Sequence, residues 1–110
     1  MPVTIKKENG IITVAISGDI DHHVAKEIRT QIDLEIDKSP LQCLEMDMSK
    51  CDFMDSSGLG LIMGRLRKCS QYKSDFKLIN PAPKTMHILR MAGVDKLIKI
   101  ENTDVTSGKE

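Results

Sequence analysis

The run Phe53-Met54-Asp55-Ser56-Ser57-Gly58-Leu59-Gly60-Leu61 sets a carboxylate, two hydroxyls and two glycines just ahead of an apolar helical pattern. Asp and Ser at such a place supply N-cap chemistry, because their side-chain oxygens accept from first-turn N–H groups that have no partner within the helix. The same unpaired N–H groups, with the positive end of the helix macrodipole, also accommodate an added phosphate. Capping and phosphorylation are compatible. A phosphoserine adds roughly −1.5 to −2 charge, which at a docked surface means repulsion and desolvation. A penalty on the order of 3 kcal/mol lowers affinity about a hundredfold, so one phosphate on a first-turn hydroxyl suffices for a switch. Gly58 and Gly60 each cost about 1 kcal/mol against Ala in a helix. Either the backbone is left uncovered for a partner or phosphate, or the helix packs tightly on the sheet.

These groups need elements to position them. Residues 3–7 alternate apolar and polar, Asn9-Gly10 is a strong two-residue hairpin signal, and Ile12, Val14 and Ile16 form a second apolar face at period two. From His22 the period lengthens: Val24, Ile28, Ile32 and Ile36 recur every four residues up to Ser39-Pro40, as in an amphipathic helix. Leu44, Met46 and Met48 alternate with Glu45, Asp47 and Ser49 as a third strand. Leu59, Ile62, Met63 and Leu66 then form the apolar stripe of a second helix, facing the sheet. Residues 76–79 read as a strand, Asn80-Pro81-Ala82-Pro83 as a loop into a short helix over 84–91, and 97–100 as the last strand. The spacing predicts an α/β domain: an N-terminal β-hairpin, then alternating helices and strands in a mixed sheet, parallel except at its first strand. This domain spans residues 1–102 and leaves 103–110 as a polar tail.

In such a sheet the loops that follow the strands' carboxyl ends share one rim, which selects residues 19–23, 55–58 and 80–83. Asp21 is placed to cap the first helix, and with Asp19, His22 and Asn80 it is placed to meet a partner. Projected at about 100° per residue, Leu61 falls opposite the stripe of the second helix, on an outer face with Arg65 and Lys68. An exposed leucine beside cations, one turn from Ser56, predicts a docking patch made by Gly60, Leu61 and Arg65. Leu61→Asp is then expected to remove partner binding while leaving thermal stability nearly unchanged.

Other chemistries fit less well. His22-His23 with Asp19 and Asp21 has metal-ligand residue types, but adjacent histidines in an extended turn point apart and His87 is far away in sequence, so no metal or other cofactor is expected. There is no GxSxG elbow and no base paired with either serine, and Gly58-Leu59-Gly60 is too weak for a nucleotide loop. No catalytic residue is assigned. Sixteen Lys and Arg balance sixteen Asp and Glu, which leaves no net field to hold nucleic acid or an anionic membrane. Phe53, Tyr72 and Phe76 are the only aromatic residues, too few to stack single-stranded bases. No export signal or bilayer-length apolar stretch is visible. Cys43, Cys51 and Cys69 are odd in number and lack CxxC spacing, so they read as reduced thiols of a soluble cytoplasmic protein. A monomer is the default expectation for the free chain.

With Gly18-Asp19-Ile20-Asp21-His22-His23 upstream and Met91-Ala92-Gly93-Val94 downstream, the Asp55-Ser56-Ser57-Gly58-Leu59-Gly60 segment resembles the STAS-domain anti-sigma factor antagonists. The resemblance runs from about Val3 to Ile100. It implies that the unphosphorylated chain binds an anti-sigma factor that is also an ATP-dependent serine kinase, freeing a sigma factor for transcription, as in sporulation control. It further implies that this kinase modifies the serine directly after the Asp, here Ser56, with Asp55, Ser57 and Gly58 as neighbours, and that a serine phosphatase resets it. A STAS interaction module of a stress-signalling, transporter or lipid-trafficking complex, without sigma control, is the alternative. Members usually carry a final amphipathic helix after the last strand, whereas residues 103–110 here are short and polar.

Overall fold

The computed structural model describes residues 3–38 and 40–103. Along the chain lie β1 (Val3–Glu8), β2 (Ile11–Ser17), α1 (His22–Lys38), β3 (Cys43–Lys50), α2 (Ser56–Gln71), β4 (Asp75–Ile79), α3 (Pro83–Met91), a 3₁₀ turn at Val94–Lys96 and β5 (Lys99–Glu101). Asn9 and Gly10 adopt φ of 52° and 81°, the two positive angles that a type I′ turn requires. The turn folds β2 back on β1 with Val3 opposite Ile16. All other neighbours are parallel, in the spatial order β1-β2-β3-β4-β5. This is the mixed sheet that the sequence predicts.

Strand alternation decides where the core sits. Ile12, Val14, Ile16, Leu44, Met46, Met48, Phe76 and Leu78 are buried on one face, beneath Ile28, Ile32 and Ile36 of α1. The opposite face is polar: Lys77 Nζ lies 3.9 Å from Glu45 and 3.6 Å from Glu101. Right-handed crossovers between strands that advance in one direction put successive helices over the same face. Cys51 and Cys69 are buried and Cys43 is half-buried. Burial, the largest cause, raises all three thiols, that of Cys69 to about 11. All three are therefore protonated at neutral pH.

Two expectations are corrected here. The buried arc of α2 consists of Gly58, Leu61, Ile62, Arg65 and Cys69, whereas Met63 is 40% exposed and Leu59 and Leu66 sit half-buried at its edge. Leu61 is only 4% exposed and Arg65 only 6%, so neither belongs to an outer face. The reason is that α2 packs against α1 as well as against β4. Its buried arc therefore turns toward α1, where a glycine and an arginine fill positions that an apolar count passes over. The last strand, expected over 97–100, begins at Lys99, because the 3₁₀ turn after Gly93 (φ 75°) takes up chain first and leaves Leu97 65% exposed. Residues 104–110 of the polar tail lie outside the described residues. Among the described residues, no helix is long and apolar enough to cross a membrane.

A polar clasp joins the two helices. Arg65 Nε approaches Asp33 Oδ1 at 3.2 Å, without hydrogen-bond alignment, and Lys68 Nζ lies 3.1 Å from Asp37 Oδ1. The Tyr72 hydroxyl donates to Asp37 at 3.0 Å. Burial lowers the Arg65 guanidinium, and Asp33 opposes that shift. Hydrogen bonds from Lys68 and then Tyr72 hold Asp37 below its ordinary 3.8. At acid pH the unfolded chain therefore takes up a proton at residue 37 before the folded chain does. The contribution of the clasp is intact above 3.8 and is lost as pH falls through the lower folded value. Asp37→Asn is expected to lose stability less steeply than wild type below about pH 4 in urea melts across acid pH. An identical acid slope would remove Asp37 from that role.

Candidate functional site

Past the ends of β2 and β3 the two chain segments stay tied together. Gly18 N–H donates to the Lys50 carbonyl at 2.9 Å, Ile20 N–H to the Phe53 carbonyl at 2.9 Å, and Asp55 N–H to the Ile20 carbonyl at 3.2 Å. The result is an isolated parallel bridge between Ile20 and Met54, both buried. Apolar residues anchor the two loops, so α1 and α2 begin side by side. Asp21 Oδ1 accepts from Val24 N–H at 2.9 Å, and Asp55 Oδ1 accepts from Ser57 N–H at 2.7 Å. Each carboxylate thereby satisfies a first-turn donor, as the sequence predicts for both. Ser56 is the first helical residue and is exposed, while Ser57 is half-buried beside it.

The two glycines have different tasks. A Cβ on Gly58 would lie 2.6 Å from Met54 Cβ and 2.9 Å from Met54 Sδ. Close packing against the bridge residue thus accounts for Gly58. A Cβ on Gly60 would meet nothing within 4 Å, so Gly60 leaves open surface. Gly58→Ala is expected to lose about 1–3 kcal/mol through overpacking, whereas Gly60→Ala is expected to gain up to about 1 kcal/mol from helix propensity. Thermal melts of the two variants test this, and equal shifts would contradict the assignment.

Between the two helices runs a groove of 440 Å³, lined by His22, Ala25, Lys26 and Arg29 of α1 and by Ser57, Gly60 and Leu61 of α2. It gathers His22, Gly60 and Leu61 from the expected contact residues and has Leu61 in its wall rather than on an outer face. His22 and His23 lie in the first turn of α1, not in an extended turn, with ring centroids 5.8 Å apart and edge to face. Among the described residues, no three His, Cys, Asp or Glu side chains are grouped to hold a metal ion. Asp19 is exposed on the β2–α1 loop. Arg65 is absent from the groove lining and turns to Asp33. Asn80, on the loop after β4, donates from Nδ2 to Thr103 Oγ1 at 2.7 Å and accepts from Thr103 N–H at 2.8 Å. Its amide is engaged in pinning the chain that leaves β5.

The model of the STAS domain matches residues 2–106. The chain belongs to the STAS-domain family. An anti-sigma F factor antagonist of Paenibacillus polymyxa is 28% identical over 107 residues, which make up 97% of this chain and 92% of the relative. The solved anti-sigma factor antagonist SpoIIAA in its unphosphorylated form matches with a TM-score of 0.83 at 22% identity, over 96% of this chain and 91% of SpoIIAA. The phosphorylated form of the Bacillus cell fate determinant SpoIIAA matches with a TM-score of 0.78 at 22% identity, over 96% and 95%. At such identity the two structures speak for the STAS fold alone.

Three residues of this STAS domain escaped the sequence reading. Phe53, 49% exposed, precedes the buried Met54 and turns outward by strand alternation, two residues before the cap. Lys26 and Arg29 follow His22 at i+4 and i+7, so helical spacing alone puts the three on one face. That spacing was the available signal.

Proposed function

We propose that this STAS domain is an anti-sigma factor antagonist whose unphosphorylated form binds an anti-sigma factor with serine kinase activity, and that Ser56 is the residue this kinase modifies. The observation that carries the reading is the position of Ser56: exposed, first in α2, and next to a carboxylate already occupied in capping. A phosphate there sits at the positive end of a helix whose first-turn N–H groups lack intrahelical partners, so the fold accommodates it. A docked partner meets an added dianion instead, and dissociates. The relatives named as anti-sigma F factor antagonists support the same role.

The chemistry belongs to the kinase. The γ-phosphoryl group of ATP moves to Ser56 Oγ, ADP leaves, and the hydroxyl proton passes to a base on the partner. A serine phosphatase reverses the modification, and the circuit operates in the cytoplasm. Phe53, Asp19 and His22 are exposed on the segments that the Ile20–Met54 bridge ties together ahead of α2, and they serve as contacts for the partner. The test uses Ser56→Ala as bait in a pull-down from the source cell. An ATPase is expected to be retained, and with ATP it is expected to phosphorylate wild type at Ser56 by mass spectrometry. Phosphate mapped to Ser57, or no ATPase on the bait, would overturn the proposal.

A further inference from the structure

We propose that the groove between α1 and α2 receives a carboxylate-bearing segment of the anti-sigma factor, with its acidic side chains against Lys26 and Arg29 and an apolar side chain over Gly60 and Leu61. The inference rests on the reading of this chain as an anti-sigma factor antagonist, and it names the chemistry of the partner. Three cationic or titratable basic side chains, His22, Lys26 and Arg29, line the groove, and no carboxylate does. Among the described residues none of the three takes part in an ion pair, whereas the cations that α2 turns toward α1, Arg65 and Lys68, are matched by Asp33 and Asp37. Charge is thus satisfied along the lower half of the helix pair and left open along the upper half.

Lys26 and Arg29 stand in the second turn of α1, beyond the first turn in which the macrodipole acts, and both are exposed. Exposed cations without an ion-pair partner are open to the carboxylates of a docking segment. Between the cations the surface is apolar and hollow: Ala25 and Leu61 are buried, and the space where a Gly60 side chain would stand is empty. A segment pairing carboxylates with one aliphatic side chain complements all of these features. Ser57 lines the same groove and Ser56 adjoins it. A phosphate on Ser56 therefore repels the incoming carboxylates and draws the cations to itself, which links modification to release.

The test is calorimetry of the ATPase retained by the Ser56→Ala bait against wild type, Lys26→Glu/Arg29→Glu and Lys26→Gln/Arg29→Gln, at roughly 50 mM and roughly 300 mM salt. The charge-reversed variant is expected to bind about tenfold to a hundredfold more weakly at low salt and to recover part of that loss at high salt, and the neutral variant to fall between it and wild type and to lose most of the salt dependence. Both are expected to melt close to wild type, because the altered side chains are exposed and form no ion pair. Wild-type affinity in both variants, or a loss that is the same at both salt concentrations, would overturn the proposal. If Ser56→Asp still releases the ATPase in that case, the phosphorylation reading stands and only the acidic segment is lost. If no variant alters retention, the phosphorylation reading falls as well.

Discussion

Ser56→Asp is expected to bind the retained ATPase about a hundredfold more weakly than wild type, equivalent to about 3 kcal/mol. The charge enters at an exposed first-turn position, so its cost is met at the docked surface, where it must be desolvated, and not within the domain. Inside the domain the sign is reversed. A carboxylate in the first turn interacts favourably with the macrodipole by about 0.3–1 kcal/mol, so the melting temperature of Ser56→Asp is expected to equal or exceed that of wild type. Ser56→Ala keeps the small neutral surface and is expected to bind as wild type does while accepting no phosphate. Calorimetry and thermal melts on the three proteins separate the two effects. A Ser56→Asp protein that holds the ATPase at wild-type affinity would remove Ser56 from the interface, and one that melts well below wild type would show that the position is structural.

Leu61→Asp is expected to be the most destabilising of the substitutions considered, at about 3–5 kcal/mol. The side chain is buried between α1 and α2, so the change removes an aliphatic contact and puts an unpaired carboxylate in its place. Against a total stability of about 5–15 kcal/mol for an ordinary domain, that is a large fraction. The expected fall in melting temperature is roughly 4–8 °C for each kcal/mol in a domain near this size. Leu34→Asp serves as the control, since Leu34 is exposed on the same helix pair, and it is expected to melt close to wild type. An unchanged melt for Leu61→Asp would restore the outer-face placement that the helical projection suggested. Loss of partner binding in this variant follows from loss of the fold and carries no information about contact. Lys26 and Arg29 are the better probes of the groove, because they change its charge without opening its floor.

The two results bear on one another through the Ile20–Met54 bridge. The bridge sets the start of α1 beside the start of α2, and Gly58 permits α2 to lie close on Met54. Ser56 and the cations of α1 are neighbours only because that packing holds. Gly58→Ala is thus expected to lower both stability and partner affinity, whereas Gly60→Ala adds a methyl group to open groove surface and is expected to lower affinity while raising stability.

The amino-acid sequence by itself determined the hairpin, the direction of the strands, the period of α1 and the two carboxylate caps. Each of these depends on neighbours in the chain. Positive φ at Asn9 and Gly10 makes the turn, side chains two or four residues apart share a face, and Asp21 and Asp55 reach N–H groups only two or three residues on. The Asp-Ser-Ser-Gly run is therefore placed on a rim by the sequence pattern alone. Tertiary structure alone decided the rotation of α2, the separate duties of Gly58 and Gly60, the start of β5 and the existence of a groove. Those features depend on surfaces far apart in sequence. Arg65 is buried because Asp33, thirty-two positions earlier, stands opposite it, and Leu61 is enclosed because α1 lies against it. A single-helix projection sees one neighbour, the sheet, while α2 has two, and the second is what turns its buried arc toward α1.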